Sequence, residues 1–108
     1  MTEPTVERVD ARQQYEIRVD GSRAGLTAYL DRGGQRVFFH TEVDPAFAGR
    51  GLATRLMRQA LDDTRAAGLR VVPVCSYVAG FLRRHEEYAD IADPVTPDIR
   101  RWLVAELR

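Results

Sequence analysis

A chain of 108 residues fits one domain, since single domains commonly run to about 100–150 residues, and its 44% hydrophobic content suffices for a buried core. The 16 basic and 16 acidic residues cancel, which excludes a long-range field of one sign able to hold nucleic acid or an anionic membrane. All 16 bases are Arg, so lysine chemistry is excluded and any anionic ligand must be caught locally.

The polar start through about Gln14 shows little periodicity and reads as a frayed arm or a short first strand, with firm order expected from Tyr15. Tyr15, Ile17 and Val19 alternate with Glu16 and Arg18 as in a half-buried strand, and Asp20-Gly21 is a hairpin signal because both residue types tolerate positive φ. A second strand spans about Arg23 to Leu30. Arg32-Gly33-Gly34 then turns the chain into a third strand, Arg36 to about Val43. Strict alternation would put Val37, Phe39, Thr41 and Val43 on a core face and Phe38, His40 and Glu42 on the other. His40 and Glu42 then stand two residues apart on one face, roughly 6.5–7 Å along the strand.

Gly49-Arg50-Gly51 opens an amphipathic helix to about Ala67, with Leu52, Leu56, Met57, Ala60, Leu61 and Thr64 on its apolar stripe and Gly68 as its C-terminal stop. Arg70 to Cys75 reads as a buried strand whose pairing lapses at Pro73, which has no amide donor. Strand, helix and strand within about 40 residues suggest a βαβ unit with 36–43 and 70–75 parallel. Val78, Phe81 and Leu82 mark a short helix. Thr96-Pro97 starts a last helix within 94–108 bearing Ile99, Trp102, Leu103 and Leu107 at helical spacing, with Trp102, Leu103 and Leu107 expected to anchor it on the sheet. The fold class is α/β: an antiparallel meander followed by a βαβ unit, all within residues 1–108.

One cysteine, Cys75, cannot form an internal disulfide, and with two histidines it is a poor inventory for a metal, so none is expected. No stretch approaches the roughly 18 apolar residues of a membrane span, and Met1 to Asp10 hold three acids and no apolar run, which points to a cytoplasmic protein. The glycine loop before a helix is suited to phosphate: glycines let the backbone come close, first-turn amides point outward and the helix dipole favours negative charge. Arg50 and Thr54 could add donors. The bland alternative is a tight turn that lets helix pack on sheet. Neither a P-loop nor a dinucleotide fingerprint fits, for want of a lysine and of a third glycine.

The stretch Phe39-His40-Thr41-Glu42-Val43 through Phe47-Ala48-Gly49-Arg50-Gly51-Leu52-Ala53 resembles motif A of the GNAT superfamily of acetyl-CoA-dependent N-acetyltransferases. With Val72-Pro73-Val74-Cys75-Ser76-Tyr77-Val78 and Arg84-His85-Glu86-Glu87-Tyr88, it is similar to the small YjdJ-like branch over about residues 15–91. The resemblance implies a minimal GNAT-like mixed sheet. It also implies that amides of Gly49, Arg50, Gly51, Leu52 and Ala53, helped by Arg50 and Thr54, bind the CoA pyrophosphate. The pantetheine arm would pair with backbone near Glu42 and Val43, between parallel strands that splay at their ends. Ser76, Tyr77 and Phe81 are further candidates for cofactor contact, although an aromatic residue at helical spacing is usually core. Ala48 stands where the family motif has Gln or Arg, and Arg83 where larger members carry a tyrosine that protonates the leaving thiolate, with Tyr88 a displaced substitute.

Cys75 could accept the acyl group or merely fill the strand end. Glu42 and His40 are candidate general bases, since an amine must lose a proton to attack a thioester, or they form a solvated strand face. His85 reads as part of a solvated helix end. The expected activity is acetyl transfer from acetyl-CoA, as co-substrate, to an amine on a small molecule or protein; the alternative is a non-catalytic acyl-CoA binding or sensing module. No nucleic-acid or membrane partner is expected, and a monomer is compatible with the sequence.

Overall fold

Asp20 and Gly21 take positive φ of 51° and 81° and close a hairpin between β2 (Gln14–Val19) and β3 (Ser22–Arg32), as their residue types require. A computed structural model of the chain describes residues 3–108; Met1 and Thr2, part of the expected N-terminal arm, lie outside the described residues. Of the two expectations for the start, the short first strand holds, so order begins before Tyr15: β1 (Thr5–Val9) pairs antiparallel with β2, Thr5 against Arg18, and a single 3₁₀ turn at Asp10–Arg12 joins them. The alternation of β1 is masked by Glu7 and Arg8, because an edge strand with one exposed side needs few apolar residues.

β4 (Gln35–Val43) pairs antiparallel with β3 and parallel with β5 (Arg70–Pro73), giving a mixed sheet in the order β1-β2-β3-β4-β5. The expected parity of β4 does not hold. Ala28 faces His40 while Tyr29 faces Phe38, so Phe39 is an extra residue in a bulge. Phe38 therefore joins the main core, Val37 and Phe39 pack on the opposite face, and Thr41 shares the Phe38 side. A bulge adds one residue to one strand, which no alternation pattern in that strand alone reveals.

α1 (Leu52–Ala66) buries all six residues of its expected stripe, among them Leu56, Met57 and Leu61, against Tyr15, Ile17, Tyr29 and Phe38. Each such side chain contributes roughly 1.5–3 kcal/mol of burial, which fixes the helix and hence the direction of its N-terminus. Gly68, at φ 74°, ends it. β5 stops at Pro73 rather than continuing to Cys75, because after Phe38 opposite Pro73 no further ladder pair forms. Cys75 instead occupies the N-cap of α2 (Ser76–Arg84).

α3 (Pro97–Glu106) starts where Thr96 Oγ1 accepts from the Ile99 amide at 3.2 Å. It lays Ile99 and Leu103 on Val37 and Val72, on the sheet face opposite α1, with Trp102 half-buried beside them. Leu107 does not anchor the helix: it caps the C-terminus and is 53% exposed. At the far end of β4 the buried Arg36 donates two bonds to the Asp31 carboxylate, at 2.8 and 2.9 Å, and one to the Tyr15 hydroxyl at 2.6 Å. That hydroxyl donates to Asp63 of α1 at 2.5 Å. The cluster ties sheet to helix at the end remote from the glycine loop. No helix is long and apolar enough to cross a membrane among the described residues.

Candidate active site at the parallel strand ends

β4 runs on through Val43 after β5 has ended at Pro73, so the two parallel strands part. The Cys75 amide makes the last link, to the Phe38 carbonyl at 2.9 Å. Beyond it lies a groove of about 370 Å³ lined by Thr41, Glu42 and Val43 of β4, by Phe47, Ala48, Gly49 and Gly51 of the loop, by Leu52, Ala53 and Thr54 of the first turn of α1, and by Tyr77 of α2.

Gly49 and Gly51 hold φ of 81° and 71°, a backbone that L side chains rarely adopt, and a Cβ at either would meet nothing within 4 Å. The glycines therefore serve backbone direction and leave the loop open to a ligand. No side chain caps α1, whose N-cap is Gly51. The amides at the start of a helix have no intrahelical acceptor, so here they and the positive end of the helix dipole face the groove. That donor set fits a pyrophosphate, and a parted strand edge fits an amide-bearing arm. Arg50 does not line the groove; its guanidinium lies over the Phe47 ring, 5.4 Å from the centroid.

His40 and Glu42 come together: Nε2 and Oε2 are 2.8 Å apart, with side chains 55% and 57% exposed. They stand opposite Ala28 and Leu26 of β3, on the sheet face away from α1. Cys75 stands elsewhere. Its thiol donates to the Thr41 hydroxyl at 3.4 Å, and that hydroxyl bonds the buried Thr27 hydroxyl at 2.9 Å, on the α1 side of the sheet. No hydrogen bond joins Cys75 to His40 or Glu42 among the described residues.

Ser76 is exposed at the start of α2 and lies outside the groove lining. Phe81, expected beside the cofactor, is 0% exposed within the main core and stacks on the His85 ring at 3.8 Å, so it offers a ligand no surface. The His85 imidazole is not simply solvated, since Nδ1 also bonds the Phe81 carbonyl at 2.8 Å. Tyr88 is buried and donates to Asp62 at 2.9 Å. Asp62 lies ten residues along α1 from Leu52, about 15 Å at the rise of a helix, which removes Tyr88 from the groove. Burial first, and then the Asp62 bond, push the Tyr88 phenol above its usual value. Sequence reading passed over Thr41 and Phe47 as lining residues. Thr41 looked like core by parity, and only the bulge turns it towards Cys75. Among the described residues no group of three or more His, Cys, Asp or Glu side chains is placed to hold a metal ion.

A five-stranded mixed sheet with a glycine loop and helix between its parallel strands is the framework of one acetyltransferase class, and the chain belongs to it. Residues 14–91 match the family model for the GCN5-related N-acetyl-transferases. The protein NATD1 of Bos taurus is 32% identical over 82 residues, 74% of this chain and 73% of that protein. NATD1 of Homo sapiens is 29% identical over 82 residues, again 74% of this chain and 73% of its own. The solution structure of a GCN5-like protein from Staphylococcus aureus superposes with a TM-score of 0.68, covering 90% of this chain and 95% of that one at 16% identity, a likeness of fold.

Proposed function

We propose that this chain is an acetyl-CoA-dependent N-acetyltransferase that acetylates an amine by direct, base-assisted attack. The observation that carries the reading is the groove: an uncapped helix N-terminus and a parted strand end converge on one space, and Glu42, the hydrogen-bond partner of His40, lines its β4 wall. Acetyl-CoA supplies an activated acyl carbon on a thiolate leaving group. Amides of Gly49 to Ala53 hold the pyrophosphate, with Thr54 adding a hydroxyl, and the backbone at Glu42 and Val43 pairs with the pantetheine arm. Arg50 and Ser76, both exposed and outside the groove lining, are the candidates for the distal phosphates.

With His40 Nε2–H donating to Glu42, the Nδ1 lone pair faces outward as the base. It takes the proton from the attacking amine as the carbon–nitrogen bond forms and the carbon–sulfur bond breaks, and Glu42 stabilises the imidazolium. Tyr77, the phenol at the groove, is the candidate to protonate the thiolate. Direct attack is better supported than acyl transfer through Cys75, whose thiol faces hydroxyls rather than a base.

Steady-state assay of CoA release with a panel of amines tests this. His40→Gln and Glu42→Gln should each lower kcat by about 10²–10⁴-fold with the KM for acetyl-CoA unchanged. Cys75→Ser should leave kcat near that of the parent. Full activity in both dyad variants would remove the base assignment. Acetyl-CoA binding with no acetylation of any amine would favour the binding module instead.

A further inference from the structure

On the sheet face away from α1, Arg12, Arg18 and Arg23 surround a single carboxylate, Glu16, which is 0% exposed. Arg18 bonds it at 2.8 Å and Arg12 at 3.2 Å, Gln14 adds a bond at 2.6 Å, and Arg23 is the most distant at 3.6 Å. Burial pushes the Glu16 carboxyl up, and the bonds from Gln14 and Arg12 outweigh it and hold the group below the usual carboxylate range. Glu16 is thus ionised and already satisfied. Glu7, 3.2 Å from Arg18, is the second acid of the cluster, so three guanidiniums face two carboxylates and one positive charge is in surplus. Arg23, with the longest contact and 45% of its side chain exposed, carries that surplus.

Arg23 forms one wall of a second cleft, about 340 Å³, whose other wall is Glu42, Val43, Asp44 and Pro45. Glu42 and Val43 also line the groove at the start of α1, so the two clefts meet at β4. Asp44 has one carboxylate oxygen bonded to the Ala46 amide at 2.9 Å, and its side chain is otherwise open to the cleft. The cleft is therefore dipolar: the Glu42 and Asp44 carboxylates on one side, and on the other the Arg23 guanidinium, whose contact with Glu16 is the longest in the cluster. An ammonium alone would be repelled at Arg23, and a simple anion at Glu42 and Asp44. A molecule bearing both charges a few bonds apart satisfies each wall, and it brings its nitrogen beside Glu42, the hydrogen-bond partner of His40.

We infer that this cleft is the acceptor site and that it selects an amine that also carries a carboxylate, the class of the free amino acids, with Arg23 holding the carboxylate and the Glu42 side holding the amine. The inference rests on the transferase reading for its direction, but the cleft itself is testable without turnover.

The probes are free amino acids, namely the protein set and β-alanine, against their carboxamides and a polyamine, titrated by NMR and calorimetry into protein saturated with CoA. Free acids should bind more tightly than their amides. Arg23→Gln should weaken that binding about 10- to 100-fold, the cost of one charge-assisted contact, and Arg23→Lys should restore part of it. CoA affinity should be the same in all three proteins, which also reports that the variants are folded. Equal binding of acids and amides, preference for the polyamine, or indifference to Arg23→Gln overturns the proposal. Acetylation assays separate the two readings: Arg23-dependent binding without transfer keeps the cleft and discards the transferase, whereas transfer that ignores carboxylate and Arg23 does the reverse.

Discussion

Gly25 is the residue on which the geometry of Glu42 turns. A Cβ there would lie 2.8 Å from the Glu42 carbonyl oxygen and 3.3 Å from Val43 Cγ2, so β3 and β4 approach as they do only because the side chain is missing. Its φ is unremarkable; contact, not backbone freedom, is the constraint. Gly25→Ala should push the end of β4 outward, at a cost of about 1–3 kcal/mol for overpacking. On the transferase reading it should also lower kcat, since the Glu42 main chain itself must shift. Thermal denaturation with steady-state kinetics checks both, and an unchanged melting temperature would mean that the strands yield freely. Nothing in a strand sequence distinguishes Gly25 from any other weak strand position, because its crowding comes from a residue 17 positions away.

At the scale of the elements, α1 and α3 differ in how much their own sequence defines them. α1 carries its stripe, its glycine entry and its glycine exit in consecutive residues, and each takes its expected place. α3 carries four apolar positions at helical spacing, three of them expected to anchor it. The sheet beneath it supplies Val37 and Val72, which bury Ile99 and Leu103 and half-bury Trp102, and Leu107 overhangs the edge. Leu103→Ala should then cost about 2–5 kcal/mol and Thr96→Ala about 1 kcal/mol through the lost cap, whereas Leu107→Ala should be nearly neutral. For a domain of this size each kcal/mol moves the melting temperature by roughly 4–8 °C, so calorimetry resolves all three. A large loss in Leu107→Ala would mean that the helix end is covered in solution.

Across the whole molecule, helix and sheet are joined by the Tyr15–Asp63–Arg36–Asp31 cluster at one end and parted by the groove at the other. Burial, and then the bond to Asp63, push the Tyr15 phenol up to about 12, and the phenols of Tyr29 and Tyr88 are raised as well, in each case first by burial. A folded-state value above the unfolded one near 10 means that the neutral phenol is favoured by folding. The associated stability is fully present below about pH 10 and is lost as pH rises towards 12. Denaturant midpoints should therefore fall between those limits as tyrosinate absorbance appears, and Tyr15→Phe should flatten part of the fall. A midpoint independent of pH across that window would contradict the assigned environment of Tyr15.

The sequence by itself determined the hairpin turns, the α1 stripe, the parallel pair around it, the break at Pro73 and the shared strand face of His40 and Glu42, because each depends on neighbours a few residues apart and on the periods of helix and strand. Only the tertiary structure decided that Phe39 is bulged, that Cys75 faces Thr41 and Thr27, that Phe81 and Tyr88 are withdrawn into the core, and that Arg23 shares a cleft with Glu42. Those outcomes depend on how separate strands register and on which surfaces are left uncovered once the helices have packed. They are properties of contacts between distant segments, and no local period encodes them.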